Sequence, residues 1–529
     1  MVMGTNALRH EGTTGNLLDM KLKLRPYQRV GIYLINKFNG RVLLADEQGL
    51  GKTIQVLEWL RRNPANRPAI IVCPASVKYV WEDQAREHCG LRTTVCQGQK
   101  PPKKKALLHT NSIYIINYDI LIDWCRYLRT LHPSVVVFDE VQRIKNRSKK
   151  IARTRAAQLL CSPMRRMPLK SLELIENKTF EEDAWVSFKD VDGTKVDGFI
   201  KSVNHKKEYA TIRIQIPHIM GLSGTPLTNR PSELWSCLNL IWPQYFPAFW
   251  TFAQDYCEPE MTPYGWKFSG ASNLGKLHRV LKRIGMIRRR KKDVAKDLPT
   301  KQVTVVPMDI NNHKEYKEAV NDFINWLSRK DTAKAERASR AKKITQMAYL
   351  KRLAAKGKLK SVLNWIDCFL EESDSKLVLG CMHHEVVDII YDKYKKISVK
   401  FTGKTPPKHR RQAVMEFRKN PQRRLFIGQI HAAGTGVDGL QEVAHTSVVV
   451  ELPWDPGTLS QFFDRIHRIG QNQNVNIYIP VAKGTLEERL CQIIQEKQDN
   501  LTNILDGKEE TSMRFDIYDQ LEKEILKGK

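Results

Sequence analysis

Several things are missing from this chain. No apolar run approaches the ~18 residues that a membrane-spanning helix needs. The opening stretch, MVMGTNALRHEGTTG, has no signal-peptide core. The ten cysteines never fall as CxxC, which argues against a zinc finger and a disulfide framework, so reduced thiols inside a cell are expected. Acidic residues are scarce: 57 Asp and Glu face 87 Lys and Arg, a net charge of +30. Such an excess points to a polyanion partner, nucleic acid ahead of an anionic membrane. At 529 residues the chain has room for about three to four domains and a large core.

A strict GxxxxGK[ST] loop is also absent, yet Arg41 to Thr53 reads RVLLADEQGLGKT. Asp46 stands where the first Gly would be. Val42 to Ala45 has the length of a buried strand, and Ile54, Leu57 and Leu60 begin a helical stripe. Strand, glycine loop and helix together form a phosphate cradle. Asp46, Glu47, Gln48, Gly49, Leu50 and Gly51 supply the loop, Lys52 reaches the β/γ oxygens, and Thr53 can hold Mg²⁺. Upstream, in LRPYQ, the Gln28 amide can read an adenine edge. A surface helix glutamine is the competing reading.

Apolar runs at Ala69–Cys73, Ile113–Asn117 and Val135–Phe138 alternate with helical stretches, which predicts an α/β parallel sheet. The third run ends in Asp139-Glu140. Carboxylates at the tip of a buried strand face the ligand crevice of such a sheet. Asp139 is assigned to the metal and Glu140 to activation of the attacking water. Ile219–Leu222 runs into Ser223-Gly224-Thr225-Pro226, whose hydroxyls can sense the γ-phosphate; alone, that tetrapeptide is only a turn signal. In the second half, runs at Leu377–Leu379, Ile397–Phe401, Leu425–Ile427, Ser447–Glu451 and Val475–Ile479 predict a second lobe without its own phosphate loop. Two lobes with one loop imply a shared cleft. Arg465 and Arg468, three apart on a predicted helix and so on one face, can complete it as arginine fingers.

The ordered set LRPYQ, DEQGLGKT, IIVCPASVKYVWEDQ, NYDIL, DEVQRIKN, GLSGTPLTNRPSELW, MIRRRKKDV, GVDGLQ and QFFDRIHRIGQ resembles the Swi/Snf-type ATPases of helicase superfamily two. Within that family it looks closest to the compact annealing-helicase and fork-remodelling branch, and to compact bacterial and viral members. The resemblance implies two RecA-like parallel-sheet lobes with helical protrusions. It also implies ATP and Mg²⁺ as cofactors, double-stranded DNA as partner, and a monomer located intracellularly on DNA, in cytoplasm, nucleoid or nucleus according to the source. Gln461 and Gln471 match the family's flanking glutamines. Gly434, Gly436 and Asp438 match the motif that couples nucleotide state to nucleic acid. The organisation expected is a flexible 1–17, a first lobe over 18–300 with a helical protrusion at 231–298, a basic helical protrusion at 301–360, a second lobe at 361–483, and a brace helix and tail at 484–529.

Two departures stand out. The family's acidic box ends in His, and here Gln142 takes that place. Residues 162–215 form an insertion whose alternation predicts three or more antiparallel strands in a small SH3- or Tudor-like barrel. Its ten basic and nine acidic residues fit a protein contact as well as a passive insertion. Arg288–Lys292 falls in the family's inter-lobe segment near DNA, a solvated basic face being the alternative. From Lys334 to Lys360 there are ten Lys/Arg and one acid. That run suits phosphate contacts without base readout, or an exposed helix kept soluble by charge. A DNA-dependent ATPase that translocates on duplex is the expected function. A strand-separating helicase and an ATP-gated scaffold without turnover are the competing ones.

Overall fold

A computed structural model describes residues 23–102, 112–145, 151–162, 164–175, 179–181, 184–189, 195–214, 216–226, 230–263, 265–328, 332–434 and 437–506. The expectations for 1–17, for Gly436 and for the tail after Asp506 fall outside these residues.

The first lobe is built on a seven-stranded, wholly parallel sheet. Its order is Met286–Ile287, Val42–Leu44, His218–Leu222, Val135–Asp139, Ala69–Cys73, Ile113–Asn117, Thr93–Val95. Parallel strands are covered on both faces, so they read as unbroken apolar runs. Alternate residues feed two cores: Leu43, Ile70, Ile116, Val136 and Phe138 face one, and Val42, Leu44, Ile71, Ile115 and Val137 the other. The register decides where the chemistry lies. Leu44 pairs with Leu222, and Leu222 with Asp139. The glycine loop, Ser223–Thr225 and Glu140 therefore leave the sheet side by side at its C-terminal edge, where ligands of open parallel sheets bind.

The second lobe carries six parallel strands in the order Lys301–Met308, Val475–Ala482, Ala444–Val449, Lys376–Cys381, Leu425–Gln429, Ser398–Phe401. Lys301–Met308 thus opens this lobe and is not part of a helical protrusion. It is an edge strand, with Val303 and Val305 exposed, so it lacks the continuous apolar run of its neighbours. The 41-residue helix Thr332–Glu372 likewise runs into the lobe, burying Leu359, Val362 and Ile366.

This placement corrects part of the basic-run reading. Lys351 and Lys358 are 1% and 0% exposed, while Arg352 and Lys356 pair with Glu385. Lys351 and Lys358 are committed to the lobe, Arg352 and Lys356 stay about half exposed, and the side chains of 334–346 lie outside the described set. Lys358 Nζ donates to Glu487 Oε2 at 2.5 Å and to the Pro480 carbonyl at 2.7 Å. This pins the long helix to Leu486–Asp506, which also packs on Leu274–Ile284 of the first lobe. Removing one partner of a buried pair strands a charge. Lys358→Met should therefore lower stability by about 3–5 kcal/mol, and adding Glu487→Gln should recover much of it. Urea midpoints of the second-lobe transition test this.

The insertion is a five-stranded antiparallel sheet, ordered Met164–Pro168, Tyr209–Ile214, Lys195–Asn204, Trp185–Lys189, Glu173–Leu174. It has its own core of Val186, Phe188, Ile200, Ala210 and Ile212. Among the described residues no pairing joins its two edge strands.

Candidate functional site

The helix Lys52–Arg62 begins directly after Gly51, which has φ +73°. Gly49 has φ +85°. Both values lie in the left-handed region that glycine takes without strain, and a side chain on either would crowd a neighbour. A Cβ on Gly51 would sit 2.5 Å from Gln28 Nε2, and one on Gly49 would sit 2.8 Å from the Cβ of Arg468 in the second lobe. The loop is therefore tight because a residue from each side closes on it.

One cleft of about 250 Å³ opens there. It is lined by Gln48, Gly49, Gly51, Lys52, Thr53, Asp139 and Glu140 of the first lobe and by Asp438, Arg465 and Arg468 of the second. Lys52 is 9% exposed and donates to the carbonyls of Asp46 at 2.7 Å and Glu47 at 3.3 Å. Burial lowers its pKa, with Glu140, Asp46 and Asp139 pulling the other way. Burial, then the neighbouring Glu140, push the Asp139 carboxyl up to about 6, while the Trp81 indole N–H (2.9 Å) and Lys52 oppose the rise.

Glu140 is the hub. Its backbone is left-handed, φ +55°, a conformation that costs a non-glycine residue about 1–3 kcal/mol and is retained where the surroundings enforce it. Its carboxylate accepts from three glutamine amides: Gln48 at 3.0 Å, Gln142 at 2.5 Å and, from the second lobe, Gln461 at 3.1 Å. Gln142, which stands in place of the family's His, thus donates its amide to Glu140. Gln142 Oε1 and Thr225 Oγ1 are buried without a partner among the described residues. Ser223 Oγ accepts the Thr225 backbone N–H at 3.0 Å.

The second lobe's arginines reach the cleft by a different route from the one expected. The helix spans Pro456–Phe463, so Arg465 and Arg468 lie in the turn after it rather than on one helical face. Asp464 ends the helix, and its side chain is drawn to Lys291 at 2.5 Å. Arg465 donates to the carbonyls of Gln461 and Val437. Arg468 pairs with Asp438 at 3.0 Å, and its Nε is buried and unpartnered among the described residues. Burial alone would raise the Asp438 carboxyl; Arg468 and Arg465 hold it below its usual value.

Other expected residues do not face the cleft. Asp46 is fully buried, held by Arg289 (Nε to Oδ1, 2.8 Å) and by Gln55 at 3.1 Å. Its carboxylate anchors the loop from behind. Glu47 turns to the backbone N–H of Lys291 at 2.6 Å. Leu50 is buried with Tyr27 and Ala295. The Gln28 amide is taken up by the Leu50 carbonyl at 3.3 Å and the Arg25 N–H at 3.0 Å. Gln471 ties the carbonyls of Ala444 and Ile466.

The run Arg288–Lys292, expected in the inter-lobe segment near DNA with a solvated basic face as the alternative, grips the site from behind. Arg288 donates to the Ala45 carbonyl at 2.9 Å, Arg289 holds Asp46, and Lys291 crosses to Asp464. Trp81, Pro74, Val77 and Gln84 also line the cleft. They lie in IIVCPASVKYVWEDQ, which marked the family without suggesting individual roles.

A family profile for the SNF2-related domain matches residues 27–165 and 197–364, more than half of the chain, and one for the helicase conserved C-terminal domain matches 357–470. The chain belongs to the SNF2-related family. The gap in the first match, residues 166–196, falls within the inserted sheet, and the match resumes before its last strand. An SNF2-family relative, the SWI/SNF-related matrix-associated actin-dependent regulator of chromatin subfamily A-like protein 1 of Xenopus laevis, is 30% identical over 91% of this chain and 44% of its own length. The human DNA annealing helicase and endonuclease ZRANB3 is 28% identical over 94% of this chain and 42% of its own. The chain thus spans less than half the length of these relatives. The Sulfolobus solfataricus SWI2/SNF2 ATPase core in complex with dsDNA aligns over 93% of this chain and 96% of that one, at 22% identity and a TM-score of 0.40. Among the described residues no helix is long and apolar enough to cross a membrane.

Proposed function

We propose that this SNF2-family chain is a DNA-dependent ATPase that moves along double-stranded DNA. One observation carries the reading: Lys52 and Glu140 of one lobe share a cleft with Arg465 and Arg468 of the other, and the Gln461–Glu140 hydrogen bond crosses it. A catalytic pocket divided in this way converts lobe closure into catalytic competence, so each turnover must open and shut it. Lys52 and the orphaned Nε of Arg468 are donors suited to a polyphosphate. Thr53 and Asp139 border the same cleft. A hydroxyl and one carboxylate suit Mg²⁺, which takes few protein ligands and otherwise keeps waters or phosphate oxygens. When bound, the ion would neutralise phosphate charge. Glu140 orients the attacking water and accepts its proton, and the arginines stabilise charge on the phosphoryl oxygens.

Duplex DNA as the track is supported by the net charge of +30 and by the family. Backbone tracking needs charge and shape, not base edges. Strand annealing is suggested by the name of the human ZRANB3 relative and fork remodelling by the resemblance of the motifs, and a protein contact is proposed for the inserted sheet, a passive insertion being the alternative. ATPase rates measured in parallel with duplex, fork, single strand and RNA test the reading. Duplex and fork should stimulate, RNA should not, and Lys52→Ala should abolish turnover. Hydrolysis by Lys52→Ala at the wild-type rate would overturn the phosphate site. Unwinding of a tailed duplex would favour the strand-separating alternative.

A further inference from the structure

Lys291 stands at a three-way junction. Its backbone N–H is held by Glu47 of the phosphate loop at 2.6 Å. Its Nζ crosses to the second lobe, donating to Asp464 Oδ1 and to the His467 carbonyl, each at 2.5 Å. Asp464 immediately precedes Arg465, and His467 immediately precedes Arg468, so one ammonium holds the residue before each arginine. The junction is closely packed. Both ionic side chains are 10% exposed, and a Cβ on Gly49 would meet Lys291 Cε at 3.5 Å. The strap carrying Lys291 is itself fastened to the loop by Arg289 on Asp46 and by Arg288 on the Ala45 carbonyl.

We propose that Lys291 is a positioning residue for hydrolysis, a clasp that sets the Arg465–Arg468 turn in register with the phosphate loop. A buried ion pair is a poor source of net stability, and its best-attested use is to fix registry. The helix that should carry both arginines has ended at Phe463, so the turn needs an external hold, and Lys291 supplies it. The clasp acts on orientation. Its loss leaves Lys52, Thr53 and the loop glycines in place, so nucleotide still binds while the arginines lose alignment. A misplacement of about 1 Å in a catalytic group can cost about 10²-fold in rate.

The inference rests on the ATPase reading, and its test separates the two. In the full chain, Lys291→Met, Asp464→Asn and the double variant are compared for DNA-stimulated kcat, KM for ATP, affinity for the non-hydrolysable analogue adenylyl imidodiphosphate, and thermal midpoint. Small-angle scattering with and without the analogue reports lobe closure independently of hydrolysis. Each single variant should lose about 10²-fold in kcat with KM and analogue affinity near wild type, and the double should be no worse than either single. Wild-type kcat in Lys291→Met, or losses that multiply in the double, would overturn the clasp and leave the ATPase reading standing. If wild type hydrolyses no ATP on any DNA, the ATPase reading falls and scattering decides. Analogue-driven compaction of wild type but not of Lys291→Met supports the clasp; identical behaviour overturns it. Should Lys291→Met fail to fold, Asp464→Asn, which keeps size and loses charge, carries the same outcomes.

Discussion

Glu140→Gln should bind nucleotide as tightly as wild type and hydrolyse it about 10²–10⁴-fold more slowly, the usual contribution of a positioned general base. The substitution keeps the shape of the side chain and removes its ability to take a proton from water. Its environment makes the test clean. The Glu140 carboxylate is held by the amides of Gln48, Gln142 and Gln461, so an amide oxygen at position 140 can still accept from some of these donors and the lobes keep their crossing contact. A defect confined to the chemical step is therefore expected: analogue affinity intact, single-turnover rate collapsed. Hydrolysis near the wild-type rate would mean that another group activates the water. Full DNA-remodelling activity in a hydrolytically dead Glu140→Gln would instead favour the scaffold that binds ATP without consuming it. The same geometry ranks the neighbours. Gln461→Ala removes only this one of the contacts between the lobes and should cost less than loss of the carboxylate.

Much of this site is legible in the linear chain for a physical reason. Strands buried on both faces must be apolar at every position, so Ala69–Cys73 and Val135–Phe138 announce themselves, and the residues just past the end of such a strand lie at the ligand edge. Asp139, Glu140 and the glycine loop could be placed on that logic alone. The departures arise where long-range partners override local pattern. Asp46 looks like a defect in the phosphate loop until Arg289, 243 positions away, is seen to neutralise it. Arg288–Lys292 reads as an inter-lobe segment near DNA or as a solvated basic face, because nothing local says that the Ala45 carbonyl, Asp46 and Asp464 await its donors. Lys358 looks like part of a nucleic-acid grip until Glu487 is found beside it in the core. The edge strand Lys301–Met308 escapes notice because one side of its pattern is exposed. The helical period through Phe463 gives no warning that the helix ends before the arginines.

That helix end shapes the second large effect. Arg465→Ala and Arg468→Ala should each lower kcat by about 10³–10⁵-fold, the range found for arginine fingers in phosphoryl transfer, but by different routes. Arg465 is secured by the carbonyls of Gln461 and Val437. Removing it also loosens the backbone that carries Gln461, so the Glu140 carboxylate loses support along with the guanidinium. Arg468 is held chiefly by the Asp438 carboxylate, and its Nε points to no protein partner among the described residues. It can therefore turn toward phosphoryl oxygens as charge develops there. Arg468→Lys should fail to rescue, since an ammonium lacks the planar fork that can keep one edge on Asp438 while presenting another to phosphate. Asp438→Asn should separate the roles. If Asp438 only orients Arg468, the variant loses rate while nucleotide affinity holds, because the guanidinium remains in the cleft without its guide. Single-turnover rates and analogue affinities for the three variants check this. An Arg468→Ala protein that hydrolyses ATP like wild type would reduce Arg468 to a strut for Asp438 and leave Arg465 as the sole finger.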